Sequence, residues 1–210
     1  MRNEKRPRTA LYPTATSPSH FSHLFTHSYN AAMSALTFRT ATTADIPALI
    51  ELVTSAYRGD ASRTGWTTEA DILDGQRVDA EGIHAELVRP RSAILIAERD
   101  GHMLACCHVA DEDGHGYFGM FAVNPATQGA GIGKQVMRHA EQHVAVQWQL
   151  PSMRMTVIDC RDELIAFYER RGYARTGIKK PFPYGDKRFG IPRRDDLRFE
   201  VLEKPLEPAA

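Results

Sequence analysis

Met120-Phe121-Ala122-Val123-Asn124-Pro125-Ala126-Thr127-Gln128-Gly129-Ala130-Gly131-Ile132-Gly133-Lys134 is the stretch that decides the fold. It reads as the end of a strand, a short loop and the opening of a helix. Asn124-Pro125 stops the strand. Beyond the loop, Ile132, Val136, Ala140, Val144 and Trp148 recur every four residues and predict one buried ridge on a long helix. Glycines at 129, 131 and 133 open bare backbone to a ligand, and the free N–H groups of the helix N-terminus point at it, which makes an anion site. Two other phosphate loops are excluded. A Walker A loop needs Gly at 128 and Ser or Thr at 135, where this chain has Gln128 and Gln135. The dinucleotide fingerprint needs a third Gly at 134, which is Lys134, and a parallel β-α-β start in place of a meander.

Upstream, the pattern is a β-meander. Ala93 to Ala97 is a strand, Asp100-Gly101 a strong hairpin turn, Met103 to Ala110 the return, Asp111 to Gly116 a second turn and Tyr117 to Val123 the third strand. Before it, Leu36 to Thr40 predicts an edge strand. A helix follows over about 44–57, with Thr42 and Thr43 as caps and Ile46, Leu49, Ile50, Val53 and Tyr57 on one face. Arg58 to Thr67 reads as loop, and Glu69–Leu73 and Ile83–Val88 as short helices. Downstream, Met153, Met155 and Val157 alternate with Arg154 and Thr156 in a half-buried strand. Leu164, Ile165 and Tyr168 pattern a helix over about 162–171 that ends at Gly172, and Tyr173–Ile178 and Leu197–Leu202 are the last strands. The order β-α-α-β-β-β-α-β-α-β-β predicts an α+β layer built on a mixed sheet.

Gln-x-x-Gly-x-Gly after a strand ending Ala-Val-Asn-Pro resembles motif A of the GCN5-related N-acetyltransferases (GNAT), and the resemblance runs from about Leu36 to Glu203. The strand before the loop, the ridge helix after it and Ala166-Phe167-Tyr168-Glu169-Arg170-Arg171-Gly172-Tyr173 downstream give the match its specificity. The resemblance implies a mostly antiparallel sheet flanked by helices, with splayed central strands that bind acyl-CoA. Acetyl-CoA is the implied cosubstrate, without a metal. Backbone near Phe121, Ala122 and Val123 would hold the pantetheine amides, and Gln128, Gly129, Ala130, Gly131, Ile132, Gly133 and Lys134 the pyrophosphate. An N–H near Met120 would polarise the thioester carbonyl. Tyr168 matches the position that protonates the departing thiolate. One departure stands out: family members often carry Asn seven residues before that Tyr, and this chain has Arg161, flanked by Asp159 and Asp162. Arg161 either reaches a coenzyme phosphate or caps its own loop.

The implied activity is acetyl transfer to a primary amine on a small molecule or a peptide. A non-catalytic acyl-CoA sensor on the same fold and an O-linked acceptor are the alternatives, and Tyr168 favours an enzyme. Deprotonating an amine needs a base, and Tyr117, His115, Glu69 and Asp71 are the candidates. Two loops are expected to choose the acceptor. Arg58–Thr67 holds Trp66. Lys179–Asp196 is long for a connection and sets Phe182, Tyr184 and Phe189 among Lys187, Arg188, Arg193 and Arg194, a setting for an acidic or planar acceptor or for adenosine phosphates; a solvated loop is the alternative, since Asp186, Asp195 and Asp196 offset much of the charge.

Twenty-six Lys plus Arg balance 26 Asp plus Glu, so no net charge steers the 210-residue chain toward nucleic acid or an acidic membrane. No apolar stretch approaches the roughly 20 residues that span a bilayer. Cys106, Cys107 and Cys160 cannot build a paired disulfide framework and read as thiols of a reducing, cytoplasmic compartment. Residues 1–32 lack any helical or strand period and read as a disordered or mis-started extension, with a transit peptide as the alternative. His20, His23 and His27 lie there without the partners a metal site requires. His139 and His143, one helical turn apart, read as surface histidines. The acyltransferase domain is placed at 33–205 and a tail at 206–210. Nothing in the pattern chooses between a monomer and a homodimer.

Overall fold

The computed structural model describes residues 34–207. The extension over 1–32 with its three histidines, and positions 208–210 of the tail, lie outside the described residues.

β1 (Thr37–Thr40) leads through a 3-10 turn at Thr43–Asp45 into α1 (Ile46–Tyr57). The Asp45 carboxylate accepts the Thr42 N–H at 2.7 Å, and Pro47 occupies the first turn of α1, where its missing N–H costs nothing. The segment read as loop contains one helical turn, α2 (Gly59–Ser62). Glu69–Leu73 corrects the sequence reading. It is a single turn, closed by the Ile72 and Leu73 N–H groups on the Glu69 carbonyl at 2.9 and 2.8 Å, and leads into β2 (Leu73–Asp74). Helix nucleation is unfavourable, and Gly75, at φ 76°, ends the segment before it can propagate. α3 (Ala80–Val88) follows, with the Asp79 side chain accepting the Gly82 N–H.

The meander is β3 (Ser92–Arg99), β4 (His102–Glu112) and β5 (His115–Val123). Asp100-Gly101 and Asp113-Gly114 all have positive φ, the left-handed pairs a two-residue hairpin needs. α4 (Ile132–Gln142) continues into a π-helical turn at His143–Gln147. Then come β6 (Ser152–Ile158), α5 (Asp162–Glu169), β7 (Ala174–Pro181), β8 (Ile191–Pro192) and β9 (Arg198–Pro205). Seven strands form one mixed sheet in the order β1-β3-β4-β5-β6-β9-β7, antiparallel throughout except for β5 against β6. β2 and β8 pair separately and tie the long connection after β7 to the segment after α1.

The period of two divides the core. Ile94, Ile96, Cys106 and Ala122 pack with Leu49 and Val53 of α1 and Ile83 of α3. Leu95, Cys107, Phe118 and Met155 pack with the α4 ridge and with Leu164 and Ile165 of α5. Adjacent Cys106 and Cys107 therefore point to opposite faces, both fully buried.

One irregularity positions everything that follows. β5 and β6 pair only at Gly116↔Met153 and Tyr117↔Arg154, although β5 runs on to Val123 and β6 to Ile158. At the same place β5 bulges: His108 pairs with Gly119 and Cys106 with Ala122, so β5 has one residue more than β4, and Met120 turns to φ 43°. A bulge bends and twists its strand. Past Tyr117 the facing edges of β5 and β6 have no partner in each other, and the sheet opens there.

Candidate active site

The glycine loop is held from both sides. Asn124 accepts the Ala126 N–H at 3.0 Å and starts a 3-10 turn at Pro125–Thr127. The Gln128 side chain accepts the Trp66 N–H at 3.1 Å and donates to Thr67 Oγ1 and to the Val123 carbonyl at 3.1 and 3.2 Å. Gln128 thus clamps the loop to the segment after α2. Gly129 and Gly131 take φ 87° and 75°, conformations that cost an L-residue about 1–2 kcal/mol, and a Cβ on either would meet no protein atom within 4 Å. Gly133 has a different reason: its Cβ would stand 3.2 Å from the Phe121 ring. Two glycines shape the anion site and the third lets α4 sit close to β5.

This loop forms one wall of a cleft of about 490 Å³. Phe121 and Val123 of β5 line its floor, and Phe167, Arg170 and Arg171 from the end of α5 face the loop across it, with Lys134 on the loop's own side. The Arg171 guanidinium lies 3.3 Å from the centre of the Phe167 ring, and its Nη1 donates to the Phe167 carbonyl at 2.6 Å. Burial pulls the Arg171 pKa down, with Arg170 adding to it.

A second cavity, of about 130 Å³, opens on the other side of the splay. Cleft and cavity share Tyr57, Phe121, Leu164 and Tyr168, so Tyr168 stands where they meet. Its ring is buried against Phe167 and Tyr173, and among the described residues its hydroxyl has no hydrogen-bond partner. Burial, with Tyr57 beside it, pushes the Tyr168 phenol far above its ordinary value, so it remains a proton donor at every physiological pH. The Tyr57 hydroxyl donates to the Phe121 carbonyl, and burial pushes that phenol up to about 12.

Glu69, Tyr117 and Tyr168, the catalytic candidates read from the sequence, all line the cavity. Glu69 is buried within three arginines. Its Oε2 lies 2.5 Å from Arg58 Nη1 and 3.8 Å from Arg77 Nε, and its Oε1 lies 3.1 Å from Arg161 Nη1. Burial alone would raise its pKa, but Arg77, Arg161 and Arg58 outweigh it and hold the carboxyl below its ordinary value. Glu69 is therefore ionised and a weak base. The Tyr117 phenol is raised by burial and pulled back by Arg77. Tyr117 also folds over its neighbour: a Cβ on Gly119 would fall 2.2 Å from the Tyr117 hydroxyl.

Other placements differ from the sequence reading. Arg161 lines the cavity and not the cleft; its Nη2 donates to the Thr67 carbonyl at 2.7 Å, so it braces that loop and Glu69. Trp66 lines the cleft beside Phe167, with ring centres 5.0 Å apart. Ala122 is buried toward α1, and Ala130 lines neither space. Tyr184 lines neither: its hydroxyl accepts the Leu197 N–H at 2.7 Å and donates to the Arg194 carbonyl. Phe182 and Phe189 of the same connection do line the cavity. Its arginines are paired elsewhere, Arg188 with Asp186, Arg193 with Asp74 and Arg194 with Asp196. Tyr57, Arg58 and Arg77 were missed as site residues. Tyr57 read as an ordinary position of the α1 face, and nothing local marks an arginine that will be buried. His115 donates to or accepts from Ser152 at 2.7 Å, outside both spaces. Among the described residues, no group of three or more His, Cys, Asp or Glu is placed to share a metal ion, and no helix is long and apolar enough to cross a membrane.

The sheet thus opens between two parallel strands, with the glycine loop at a helix N-terminus on one side and the second cavity on the other. The acetyltransferase (GNAT) family model matches residues 47–173, and the chain belongs to that family. Solved structures with the same fold include the ribosomal-protein-S18-alanine N-acetyltransferase of Escherichia coli, 15% identical over 84% of this chain and 97% of that one, with a TM-score of 0.61. The ribosomal-protein-alanine N-acetyltransferase of Brucella melitensis is 20% identical over 81% and 99%, also at 0.61. The protein yncA of Salmonella typhimurium, solved with its cofactor acetyl-CoA, is 18% identical over 84% and 97%, at 0.58. No curated protein matches the sequence.

Proposed function

We propose that this protein is an N-acetyltransferase that moves the acetyl group of acetyl-CoA to a primary amine. The observation that carries the reading is the meeting of cleft and cavity at Tyr168, with β5 and β6 parted between them. The pyrophosphate would lie on the backbone of Gly129–Gly133 at the N-terminus of α4, near Lys134, Arg170 and Arg171. The pantetheine arm would run along the open edge of β5 past Val123 and Phe121, delivering the thioester to the junction. The amine nitrogen attacks the thioester carbonyl carbon, an N–C bond forms, and the C–S bond breaks as the tetrahedral intermediate collapses. Tyr168 gives its proton to the departing thiolate. The proton lost by nitrogen goes to water, which the neutral Tyr117 hydroxyl can orient, because Glu69 is held ionised by its arginines and is a weak base. Glu69 instead fixes the arginines around the cavity. The neutral net charge and the buried thiols support a protein of the cytoplasm that acts on small molecules and not on nucleic acid or membrane.

Coenzyme binding is the first test. A ligand at 100 times its Kd stabilises the folded state by about 2.7 kcal/mol, so acetyl-CoA should raise the melting temperature while NAD and ATP do so far less. Gly131→Asp, which sets a carboxylate where the pyrophosphate belongs, should abolish the rise. An unchanged melting curve at saturating acetyl-CoA would sink the reading.

A further inference from the structure

The charge in the cavity does not balance. Glu69 is the only carboxylate among the described residues that line it, and three guanidinium groups converge on it. Two are consumed. Arg58, 6% exposed, stands behind Glu69, and Arg161 is held by Glu69 and by the Thr67 carbonyl. Even so, Arg58 Nε and Nη2 are buried without a partner, which shows how short of acceptors this cluster is. Arg77 is the third. Among the described residues it makes no hydrogen bond: its Nε stays 3.8 Å from Glu69, and its guanidinium lies 5.4 Å from the centre of the Tyr57 ring. It lines the cavity directly. Its side chain is 29% exposed, so its N–H donors can be reached from the cavity and are open to an anionic group of a ligand. Leu73, Phe182, Phe189 and Phe199 give the wall an apolar part.

We infer that the acetyl acceptor is a small amino acid-like amine, whose carboxylate is taken by Arg77 and whose apolar side chain packs on the phenylalanines of the cavity. The inference rests on the acetyl-transfer reading and adds the acceptor class to it. A guanidinium presents a planar pair of N–H donors that matches a carboxylate, and such charge-assisted pairs are strong in a desolvated site. With the carboxylate at Arg77, the amine reaches toward Tyr168, where the thioester arrives. Arg161, Glu69 and Arg58 then hold the wall that orients Arg77.

The test compares L-leucine and L-phenylalanine with their amides and with isoamylamine and phenethylamine, following thiol release from acetyl-CoA. The free acids should be preferred by about 10- to 100-fold, mainly through KM. Arg77→Gln should lower kcat/KM for the acids far more than for the amines and so erase that preference, and Arg77→Lys should restore part of it. Calorimetry with N-acetyl-leucine against N-acetyl-isoamylamine, with coenzyme A present, reads the same preference without turnover. Melting curves with acetyl-CoA on the same preparations show that Arg77→Gln is folded and keep the two readings apart. A retained acetyl-CoA shift, with acids and amines treated alike in both assays, overturns the carboxylate inference and leaves acetyl transfer standing. So does an Arg77→Gln variant that still prefers the acids.

Discussion

Tyr168→Phe separates a proton donor from a core ring. The substitution keeps the edge contacts with Phe167 and Tyr173, whose ring centres lie 5.3 and 6.0 Å away. Since the hydroxyl has no hydrogen-bond partner among the described residues, no internal bond is lost, and the stability change should stay within about 0.5 kcal/mol. For a domain of this size that is roughly 1–2 °C in melting temperature. Coenzyme affinity should hardly change, because the pyrophosphate loop is untouched. Turnover should fall by about 10² to 10⁴, the span for a lost general acid, or roughly 2.7–5.5 kcal/mol in the barrier. The phenol is pushed far above its ordinary value, so it stays protonated as pH rises, and wild-type kcat should show no alkaline loss from this group up to about pH 10. The assay measures thiol release with the best acceptor from the amine panel, alongside melting and acetyl-CoA titration of the same preparation. Near-wild-type turnover per folded molecule would refute the acid role. So would a fall of several degrees in melting temperature with activity intact.

Glu69→Gln leaves the buried Arg58 and Arg161, and the part-exposed Arg77, without their carboxylate and should cost about 3–5 kcal/mol, or roughly 10 °C, at neutral pH. Because the folded-state pKa of Glu69 is depressed, its contribution is present above about pH 4.3 and is lost as pH falls through the folded value. The gap between wild type and variant in urea melts should therefore close in acid. Equal stability at pH 7 would remove Glu69 as the keystone of the cluster. Burial pushes Cys106 up to about 12 and Cys107 well above its ordinary value, while Cys160 is exposed. At pH 8 an alkylating reagent should label Cys160 alone in the native protein and all three in denaturant, as read by peptide mass. Labelling of Cys106 without global unfolding would contradict the packing of β4.

The elements that carry the fold were legible because they are written in local patterns. Asp100-Gly101 announces a two-residue turn, the residues from Ile132 to Val144 repeat at one helical face, and Met153, Met155 and Val157 alternate. Each is a short-range consequence of backbone geometry, so the sequence alone determined the succession of these strands and the helix after the glycine loop, while the place of Tyr168 near that loop followed from the family resemblance. Glu69–Leu73 failed for the converse reason: five residues hold too little local signal to decide between one turn and a helix. The tertiary structure alone decided how far β5 and β6 stay paired, since their parting depends on a bulge at Met120 and on residues far apart in sequence. It alone decided which charges are free. Arg188 and Arg194 pair with their neighbours Asp186 and Asp196, whose offsetting charge the chain displays, but Arg193 pairs with the distant Asp74. Nothing local singles out Arg77, yet folding brings it beside Arg58 and Arg161 on one carboxylate. A charge acquires its meaning from the partners and solvent that folding leaves it, and those are set by contacts the linear sequence does not contain.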